Sequence, residues 1–345
     1  MQKEPLISAI ILTYNQQEFI GHTIECALEQ KTEYNYEIII GEDCSTDDTG
    51  DIVYRYQKMY PSKIRVITSD QNVGLLDNYC RSVKAARGKY IAGCGGDDYW
   101  HNPDKLQMQG KFLEEHPEYG MVHSDENALF EAKGELIKNY NQKSRYSYDN
   151  KSDDTLGLLF AGNYHVVASS SVYRKLYFDQ YFNISELKTQ QIVMEDMPLW
   201  LIIAAHSKIY YMSESLVTRR VVKGSITRQG FDKKMELWQS VYNCYLFYYN
   251  KYRNSKPEMK VDINTIHYLL NHLMLKTAFK ANRKKLVRRY YLNIVNLAGK
   301  SFVKAGDRLR YYVTYLPLGI KISSYLFHIY LQWHEALTGI PRRDF

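Results

Sequence analysis

The stretch Cys94-Gly95-Gly96-Asp97-Asp98-Tyr99-Trp100 decides how the rest of the chain is interpreted. It follows Lys89-Tyr90-Ile91-Ala92, which has the apolar character of a buried strand. Two glycines let the backbone turn sharply and approach a ligand closely. Adjacent carboxylates repel each other unless a cation or hydrogen-bond donors lie against them, so the pair predicts a site for Mg²⁺ or Mn²⁺. The alternative is a solvated Asp-Asp turn with Tyr99 and Trp100 as hydrophobic plugs.

Strands and helices alternate over the first hundred residues. Apolar runs at Leu6–Leu12, Tyr36–Ile40 and Ile64–Thr68 have the length of buried strands, and each is followed by a segment of helical periodicity. This order predicts an α/β fold with a mostly parallel sheet and helices on both of its faces. Polar residues that follow the strands should then meet at one edge of the sheet, where such folds bind ligands. They are Thr13, Asn15, Asp43, Asp97 and Asp98.

Charge is distributed unevenly along the 345 residues. Residues 1–250 contain 27 Lys+Arg and 33 Asp+Glu, whereas residues 251–345 contain 18 and 5. An acidic body with a basic tail indicates an anionic partner for the tail, either a membrane surface or nucleic acid. The alternative is that the basic residues only solvate the surfaces of helices.

The five cysteines are an odd number and include no Cys-x-x-Cys pair. This argues against a disulfide framework or a structural zinc site and favours a reducing compartment. The N-terminus lacks the apolar core of a signal peptide, and no run of 18 uncharged apolar residues occurs. We therefore expect a cytoplasmic protein.

Four motifs resemble family 2 glycosyltransferases, which have the Rossmann-like, nucleotide-sugar-binding GT-A fold. They are PLISAIILTYNQQEFI, IIIGEDCSTDDT, NVG and GKYIAGCGGDDYW, and the resemblance extends over about residues 5–230. It implies metal-dependent, inverting transfer of a sugar from a nucleoside diphosphate-sugar donor to a hydroxyl acceptor. The divalent metal, Mn²⁺ or Mg²⁺, would neutralise the leaving diphosphate.

The resemblance also implies roles for individual residues of the donor site. Thr13, Tyr14 and Asn15 would lie near the nucleotide, and Asp43 would accept a hydrogen bond from the base. Asp97 would face the ribose, and Asp98, with Asp97 beside it, would hold the metal on the diphosphate.

Two later segments complete the resemblance. Met194-Glu195-Asp196 resembles the family's Glu-Asp motif, which implies Asp196, with Glu195 next, as the general base on the acceptor hydroxyl. The alternative is an acidic pair at a helix N-terminus, where negative charge is favoured. Arg219–Ser225 resembles the Arg-x-His-x-x-Ser segment that folds over the diphosphate, which implies phosphate contacts from Arg220 and Lys223.

Two departures from the family pattern motivate a rival interpretation. Gly95 replaces the first acid of an Asp-x-Asp-Asp pattern, and Val222 stands at the position of the histidine. A catalytically lapsed nucleotide-sugar-binding protein would tolerate both changes. A sugar nucleotidyltransferase is another rival, but it needs a Gly-rich loop with Arg or Lys after the first strand, where this chain has Thr13-Tyr14-Asn15-Gln16.

The middle of the chain is predicted in less detail. Asn163–Arg174 alternates around small residues and resembles the family's mid-chain strand. Residues 131–155 are polar without a clean period, which predicts a loop or an irregular hairpin.

We predict two domains, a GT-A catalytic domain over residues 1–230 and a basic α-helical domain over residues 231–345. The second has apolar residues at helical spacing, among them Ile266, Leu270 and Val287, and a stripe from Ile322 to Trp333. Such stripes fit an interfacial helix on a membrane or, alternatively, the core of a helical subdomain. The tail could contact the acceptor, a membrane surface or a second copy in a homo-oligomer; no nucleic-acid motif accompanies its charge.

The expected acceptor is a saccharide or lipid-linked saccharide in cell-surface polysaccharide synthesis. The protein would then work in the cytoplasm, peripherally on the inner face of the cell membrane. The basic tail motivates this expectation, because anionic headgroups attract such segments.

Overall fold

A computed structural model describes residues 4–144, 146, 148–222 and 230–315. The strands in these ranges are β1 (Ile7–Thr13), β2 (Tyr36–Glu42), β3 (Ile64–Ile67), β4 (Tyr90–Gly95), β5 (Tyr119–Phe130), β6 (Glu135–Ile137), β7 (Ser171–Arg174) and β8 (Lys208–Arg220). The α-helices are α1 (Ile20–Leu28), α2 (Thr49–Met59), α3 (Leu75–Ala85), α4 (Lys105–Glu115), α5 (Thr155–Phe160), α6 (Lys175–Tyr181), α7 (Ile184–Thr189), α8 (Asp196–His206), α9 (Phe231–Tyr252), α10 (Ile263–Lys280), α11 (Lys284–Asn293) and α12 (Ala305–Val313). None of these helices is both long and apolar enough to cross a bilayer.

The strands form one mixed sheet in the order β3-β2-β1-β4-β7-β5-β6, with β8 paired to β5. The pairs β1–β2, β1–β4, β2–β3 and β5–β8 are parallel, whereas β7 is antiparallel to both β4 and β5. Leu12 is level with Gly41 of β2 and with Gly95 of β4. The carboxyl ends of these three strands therefore meet at one edge, as the alternation of elements predicted.

Helices cover both faces of the sheet. On one face, Ile7, Ala9 and Ile11 of β1 share a buried cluster with Ile20 and Ile24 of α1; the cluster also takes in residues of α2 and α4. On the other face α3 lies very close to β2, because a Cβ atom at Gly41 would come within 2.3 Å of Ser82 Oγ. The predicted α/β fold with helices on both faces is confirmed.

The predicted strand over Asn163–Arg174 is wrong for most of its length. Only Ser171–Arg174 forms a strand, and Ala168–Ser170 forms a 3-10 turn. Ser170 Oγ donates to Val167 O at 2.7 Å, and Ser171 Oγ donates to Ala168 O at 2.8 Å. These local bonds from serine hydroxyls satisfy backbone carbonyls and compete with pairing in a sheet.

Residues 131–155, predicted as a loop or an irregular hairpin, begin with a short hairpin at the end of β5 and continue mainly as loop where they are described. The short strand β6 pairs antiparallel with the end of β5, in the register Leu129↔Leu136. Asn141 N then donates to Asp125 Oδ1 at 2.9 Å, so the segment after β6 is tied back to β5.

The chain divides into two compact units, residues 1–159 with 163–223 and residues 160–162 with 224–345. In the second unit, α10, α11 and the turn that follows α11 supply a core that includes Leu275, Phe279, Val287 and Ile294. The apolar spacing in this part of the tail is therefore helix packing. The stripe from Ile322 to Trp333 lies outside the described residues.

Candidate active site

The Asp97-Asp98 turn follows β4 at the edge where β1, β2 and β4 end. Gly96 N donates to Leu12 O at 2.8 Å, and Thr23 Oγ1 of α1 donates to Gly96 O at 2.9 Å and to Asp98 O at 2.6 Å. A Cβ atom at position 96 would lie 2.4 Å from Gln16 Oε1. It would also lie 2.8 Å from Thr13 Cβ, which belongs to β1 and cannot move aside easily, so the turn packs closely against β1 and α1.

Asp98 is buried, with 7% of its surface exposed. Its Oδ2 accepts a hydrogen bond from Ser169 Oγ at 2.5 Å, and its Oδ1 accepts one from Arg220 N at 3.0 Å. Burial and the neighbouring charge of Asp97 nevertheless raise the pKa of Asp98 to about 7. Burial also raises the pKa of Asp97. The two groups therefore resist ionising together unless a cation compensates them.

The donor atoms at this turn fit a hard divalent cation. Both side chains offer carboxylate oxygens, which Mg²⁺ and Mn²⁺ prefer, and a bound cation would relieve the repulsion between Asp97 and Asp98. Within the described part of the chain, no cluster of three His, Cys, Asp or Glu side chains is placed to hold a metal. Ligand oxygens and water would thus have to complete the coordination.

Helix α4 and the residues before it position Ser169, whose hydroxyl donates to Asp98. Trp100 Nε1 donates to Ser169 O at 3.0 Å, and Gln109 Nε2 donates to Ser170 O at 2.9 Å. Behind them the ammonium of Lys105 is fully buried, 4.6 Å from the centre of the Trp100 ring, and burial lowers the pKa of Lys105 to about 7. Sequence reasoning missed Ser169. The only available signal was the run of small residues before β7.

The end of β1 contributes a polar rim. Thr13 is buried, and its Oγ1 donates to Gln16 Oε1 at 2.9 Å. Asn15 has a positive φ of 52°, and its Oδ1 accepts a hydrogen bond from Thr46 N at 2.8 Å. Tyr14 between them is 44% exposed. Thr13 and Asn15 therefore organise the loops after β1 and β2, and Tyr14 is available to a ligand.

Asp43 holds the turn that precedes α3. Its two carboxylate oxygens accept hydrogen bonds from Val73 N and Gly74 N, each at 2.9 Å, and Arg81 Nη2 lies 3.4 Å from Oδ1. The carboxylate is almost fully buried. Oδ1 accepts from both Val73 N and Arg81 Nη2, whereas Oδ2 accepts only from Gly74 N among the described residues, so Oδ2 presents a fixed acceptor to any group that reaches it.

Arg220 joins β8 to the aspartate turn. Its Nη1 donates to Asp97 O at 2.9 Å, its Nη2 lies 2.9 Å from His22 Nδ1, and its Nε lies 2.9 Å from Glu131 Oε1. A guanidinium has five N–H donors, so two of them, one on each terminal nitrogen, have no acceptor among the described residues. His22 is a second residue that sequence reasoning missed. The other predicted phosphate contact, Lys223, lies outside the described residues.

The acidic pair Glu195-Asp196 lies at the start of α8. Asp196 Oδ1 accepts a hydrogen bond from Met197 N at 2.6 Å, whereas Glu195 Oε2 is buried and has no hydrogen-bond partner in the part of the chain that the structure describes. Burial and the charge of Asp196 raise the pKa of Glu195 to about 8, and burial raises the pKa of Asp196. A raised pKa makes a carboxylate a stronger base for a hydroxyl proton.

The structure thus brings together most of the predicted donor-site residues. Thr13 accepts a backbone hydrogen bond from Asp43 and is adjacent to Gly96, while Arg220 bonds to both Asp97 and Asp98. Across the described ranges of the chain, Asp196 shares no hydrogen bond or ion pair with this group.

Comparison with known proteins identifies the family. The sequence model of Glycosyl transferase family 2 matches residues 8–182. An uncharacterized protein of Mycobacterium bovis is 38% identical over 125 residues, which are 36% of each chain. The Escherichia coli enzyme WfaP, a UDP-Glc:α-D-GlcNAc-diphosphoundecaprenol β-1,3-glucosyltransferase, is 41% identical over 109 residues, which are 32% of this chain and 41% of WfaP. The matched part therefore spans less than half the length of these two relatives.

A solved structure agrees on the fold. The mannosyltransferase PcManGT from Pyrobaculum calidifontis, in complex with GDP-Man and Mn²⁺, superposes with a TM-score of 0.52 at 13% identity and covers 93% of this chain and 87% of its own. At this identity the likeness concerns the fold alone. Since the family model matches about half of the chain, including the aspartate turn, this protein is a member of glycosyl transferase family 2.

Proposed function

We propose that this enzyme transfers a sugar, with inversion, from a nucleoside diphosphate-sugar to a hydroxyl group of a saccharide or lipid-linked saccharide. Family membership supplies the glycosyltransferase class. The donor half of the proposal is carried by one observation, the adjacent carboxylates of buried Asp98 and half-buried Asp97 at the common end of three parallel strands. A carboxylate pair of this kind is suited to a divalent cation with an anionic ligand.

In the proposed donor complex, Asp98 and Asp97 hold Mn²⁺ or Mg²⁺, which when bound supplies a Lewis acid for the leaving diphosphate. Asp43 receives a hydrogen bond from the base, and the rim of Thr13, Tyr14 and Asn15 surrounds the nucleotide. The two remaining N–H donors of Arg220, together with Lys223, contact the phosphates. These assignments rest on the family resemblance and on the placement of the described residues at one edge of the sheet.

For the acceptor half, we propose Asp196 as the base that takes the hydroxyl proton, with Glu195 beside it. The proposal is supported by the partial burial of the pair and by the raised pKa of both groups. WfaP acts, by its name, on a diphosphoundecaprenol-linked sugar. That relative supports a lipid-linked acceptor. We further propose a place in cell-surface polysaccharide synthesis, at the inner face of the cell membrane.

The decisive experiment is a thermal-shift and product-release screen of nucleoside diphosphate-sugars with and without Mn²⁺. We expect one nucleotide to stabilise the protein only when the metal is present and to be released slowly as the diphosphate. Asp98→Ala should lower metal-dependent turnover more than about 100-fold, because charge neutralisation at a leaving group contributes several kcal/mol. The matched control is Asp153→Ala, since the Asp153 side chain is 85% exposed.

Asp196→Asn should stop transfer to an acceptor while the affinity for the donor stays within about twofold, because general-base catalysis typically contributes 10²–10⁴-fold. Wild-type rates in both Asp98→Ala and Asp196→Asn would show that the site is misassigned. Donor binding without turnover for any acceptor would instead favour a lapsed nucleotide-sugar-binding protein. Activity only with a nucleoside triphosphate and a sugar phosphate would favour a nucleotidyltransferase.

A further inference from the structure

We infer that helices α11 and α12 form a surface that binds anionic phospholipid headgroups at a bilayer, through exposed lysines and arginines that border exposed leucine and tyrosine side chains. The inference goes beyond sugar transfer and does not use the donor site. It concerns the second compact unit alone.

Charge is concentrated in this part of the chain. Residues 283–315 contain nine lysines and arginines and a single acid, Asp307. That acid is fully buried, and its carboxylate lies 2.6 Å from His272 Nδ1 and 3.7 Å from Arg310 Nη1. Its charge is therefore compensated inside the unit, and α11 and α12 expose no acidic side chain beside their cations.

The solvent face of α11 is almost entirely cationic. Its exposed residues follow the spacing i, i+1, i+4, i+5 and i+8, which places them on one side of a helix. They are Lys284, Lys285, Arg288, Arg289 and Leu292. Val287 and Tyr290, on the opposite side, are buried in the core of the unit. The helix is amphipathic, with an apolar buried face and a cationic solvent face. The exposed Leu292 at its C-terminal end adds an apolar side chain to the solvent face.

The solvent face of α12 is mostly apolar. Leu309 is 60% exposed, Tyr312 is 63% exposed and Tyr315, just after the helix, is 52% exposed. Arg308 is exposed beside them, whereas Asp307 and Thr314 are buried on the other side. The rings of Tyr291 and Tyr311 stack with centroids 4.2 Å apart, so the two helices are packed together. Leu297, in the segment between them, is also exposed.

The combination of side chains selects a bilayer over a soluble polyanion. Nucleic acid or an anionic glycan in water would neutralise the cations but would give Leu309 and Tyr312 no apolar environment. A membrane interface accommodates both, because headgroup phosphates attract lysine and arginine while leucine and tyrosine enter the boundary with the acyl chains. The tyrosines suit that boundary, since each ring is apolar and its hydroxyl is polar.

The test is co-sedimentation of the full chain with large vesicles, using phosphatidylglycerol mixed with phosphatidylcholine and, in parallel, phosphatidylcholine alone. We expect binding to the anionic vesicles at low ionic strength, at least tenfold weaker binding to neutral vesicles, and release of the electrostatic part by 0.5 M NaCl, where the screening length is only a few ångströms. Vesicle binding is measured without a sugar nucleotide. A negative result would therefore count against the membrane surface and would leave the proposed transferase activity untouched.

Two variants separate the parts of the surface. Replacing Lys284, Lys285, Arg288 and Arg289 by glutamine keeps helix propensity and should weaken binding to anionic vesicles more than about 100-fold, since each cation near an anionic surface contributes about a fivefold factor. The pair Leu309→Ala and Tyr312→Ala should weaken it about tenfold. Far-UV circular dichroism and the melting temperature show that the variants are folded.

The matched control replaces four exposed cations of the first unit, Lys31, Arg55, Lys58 and Lys111, by glutamine and should bind vesicles as the wild type does. Equal loss in this control would overturn the inference, because net charge alone would then explain binding. No vesicle binding by the wild type would overturn it as well. Tight binding to duplex DNA that is unaffected by Leu309→Ala and Tyr312→Ala would assign the surface to a polyanion instead.

Discussion

At the scale of single residues, Asp98 lies in an environment that opposes its own charge. It receives hydrogen bonds from Ser169 and from the backbone of Arg220, yet burial and the adjacent Asp97 raise its pKa to about 7. Without a metal, the carboxyl group of Asp98 is more stable in its neutral form, whereas a bound cation favours the charged form. Metal binding should therefore change the free energy of unfolding.

We predict that Asp98→Asn stabilises the metal-free protein at pH 8 and has little effect near pH 4. The folded pKa of about 7 exceeds the unfolded value of about 3.9, so the folded state binds more protons between these values and its free energy of unfolding falls as pH rises through that window. Asparagine cannot ionise and avoids this loss, which has an upper limit of about 4 kcal/mol.

The measurement is urea denaturation in EDTA at several pH values, with Asp153→Asn as the exposed control. A stabilisation by Asp98→Asn that does not depend on pH would contradict the predicted titration.

His22 positions Arg220 as long as the imidazole is neutral, because only an unprotonated Nδ1 can accept from the guanidinium. Burial and Arg220 lower the pKa of His22, while Glu25 and Glu29 oppose the shift; Cys26 and Tyr99 are its other close neighbours. As pH falls, His22 therefore binds a proton in the unfolded state before it does so in the folded state. The stability that this contact contributes is complete above the unfolded pKa of about 6.5 and is lost as pH falls below it.

We predict that His22→Gln, whose amide oxygen can accept the same hydrogen bond, has a smaller drop in melting temperature than the wild type between pH 7.5 and pH 5.5. His22→Ala should be less stable than both at pH 7.5, because it removes the hydrogen bond to Arg220 and the ring contact with Tyr99. Parallel pH curves for the wild type and His22→Gln would show that His22 does not titrate against Arg220.

At the scale of elements, the amino-terminal ends of β1, β2 and β4 are joined around Glu37. Its buried carboxylate accepts hydrogen bonds from Ser8 Oγ at 2.8 Å and from Arg87 Nη2 at 2.8 Å. Ser8 Oγ in turn accepts from Gly88 N at 2.9 Å. The turn before β4 therefore lies directly against the backbone of β1.

Gly88→Ala should destabilise the fold by roughly 2–4 kcal/mol. A Cβ atom there would lie 2.6 Å from Ser8 N and 2.8 Å from Ile7 C, and backbone atoms of a central strand cannot move aside cheaply. Gly50→Ala is the matched control, because Gly50 lies in α2 with nothing within 4 Å of the added methyl group, and it should stabilise by up to about 1 kcal/mol. Urea denaturation of both variants at pH 7 checks the pair. Equal changes in the free energy of unfolding for the two variants would mean that the backbone at Gly88 can accommodate a methyl group.

At the scale of the whole molecule, all five cysteines are free thiols. Cys80, Cys94 and Cys244 are buried, while Cys26 and Cys44 are partly exposed. Burial raises the pKa of Cys26 to about 11 and that of Cys80 to about 12, so neither forms much thiolate at neutral pH. Most of the thiols are therefore buried or protonated at neutral pH, and they should react slowly in the folded protein.

We predict that a thiol-specific disulfide reagent at pH 7.5 labels about one cysteine rapidly in the folded protein and all five after unfolding in guanidinium, since the thiolate is the reactive form. Cys44→Ser should remove the rapid phase. Rapid labelling of three or more thiols would contradict the buried positions of Cys80, Cys94 and Cys244.

By itself, the sequence determined the order of strands and helices, the mostly parallel sheet and the edge at which Thr13, Asp43, Asp97 and Asp98 meet. These follow from apolar periodicity and from glycine and polar residues at strand ends, which act over a few neighbouring positions. Only the tertiary structure decided that Ser169 bonds Asp98, that His22 and Glu131 hold Arg220, and that Asn163–Val167 is not a strand. Each of these depends on contacts between segments 70 to 200 residues apart or on serine hydroxyls that compete with the sheet, and neither leaves a periodic signal in the chain.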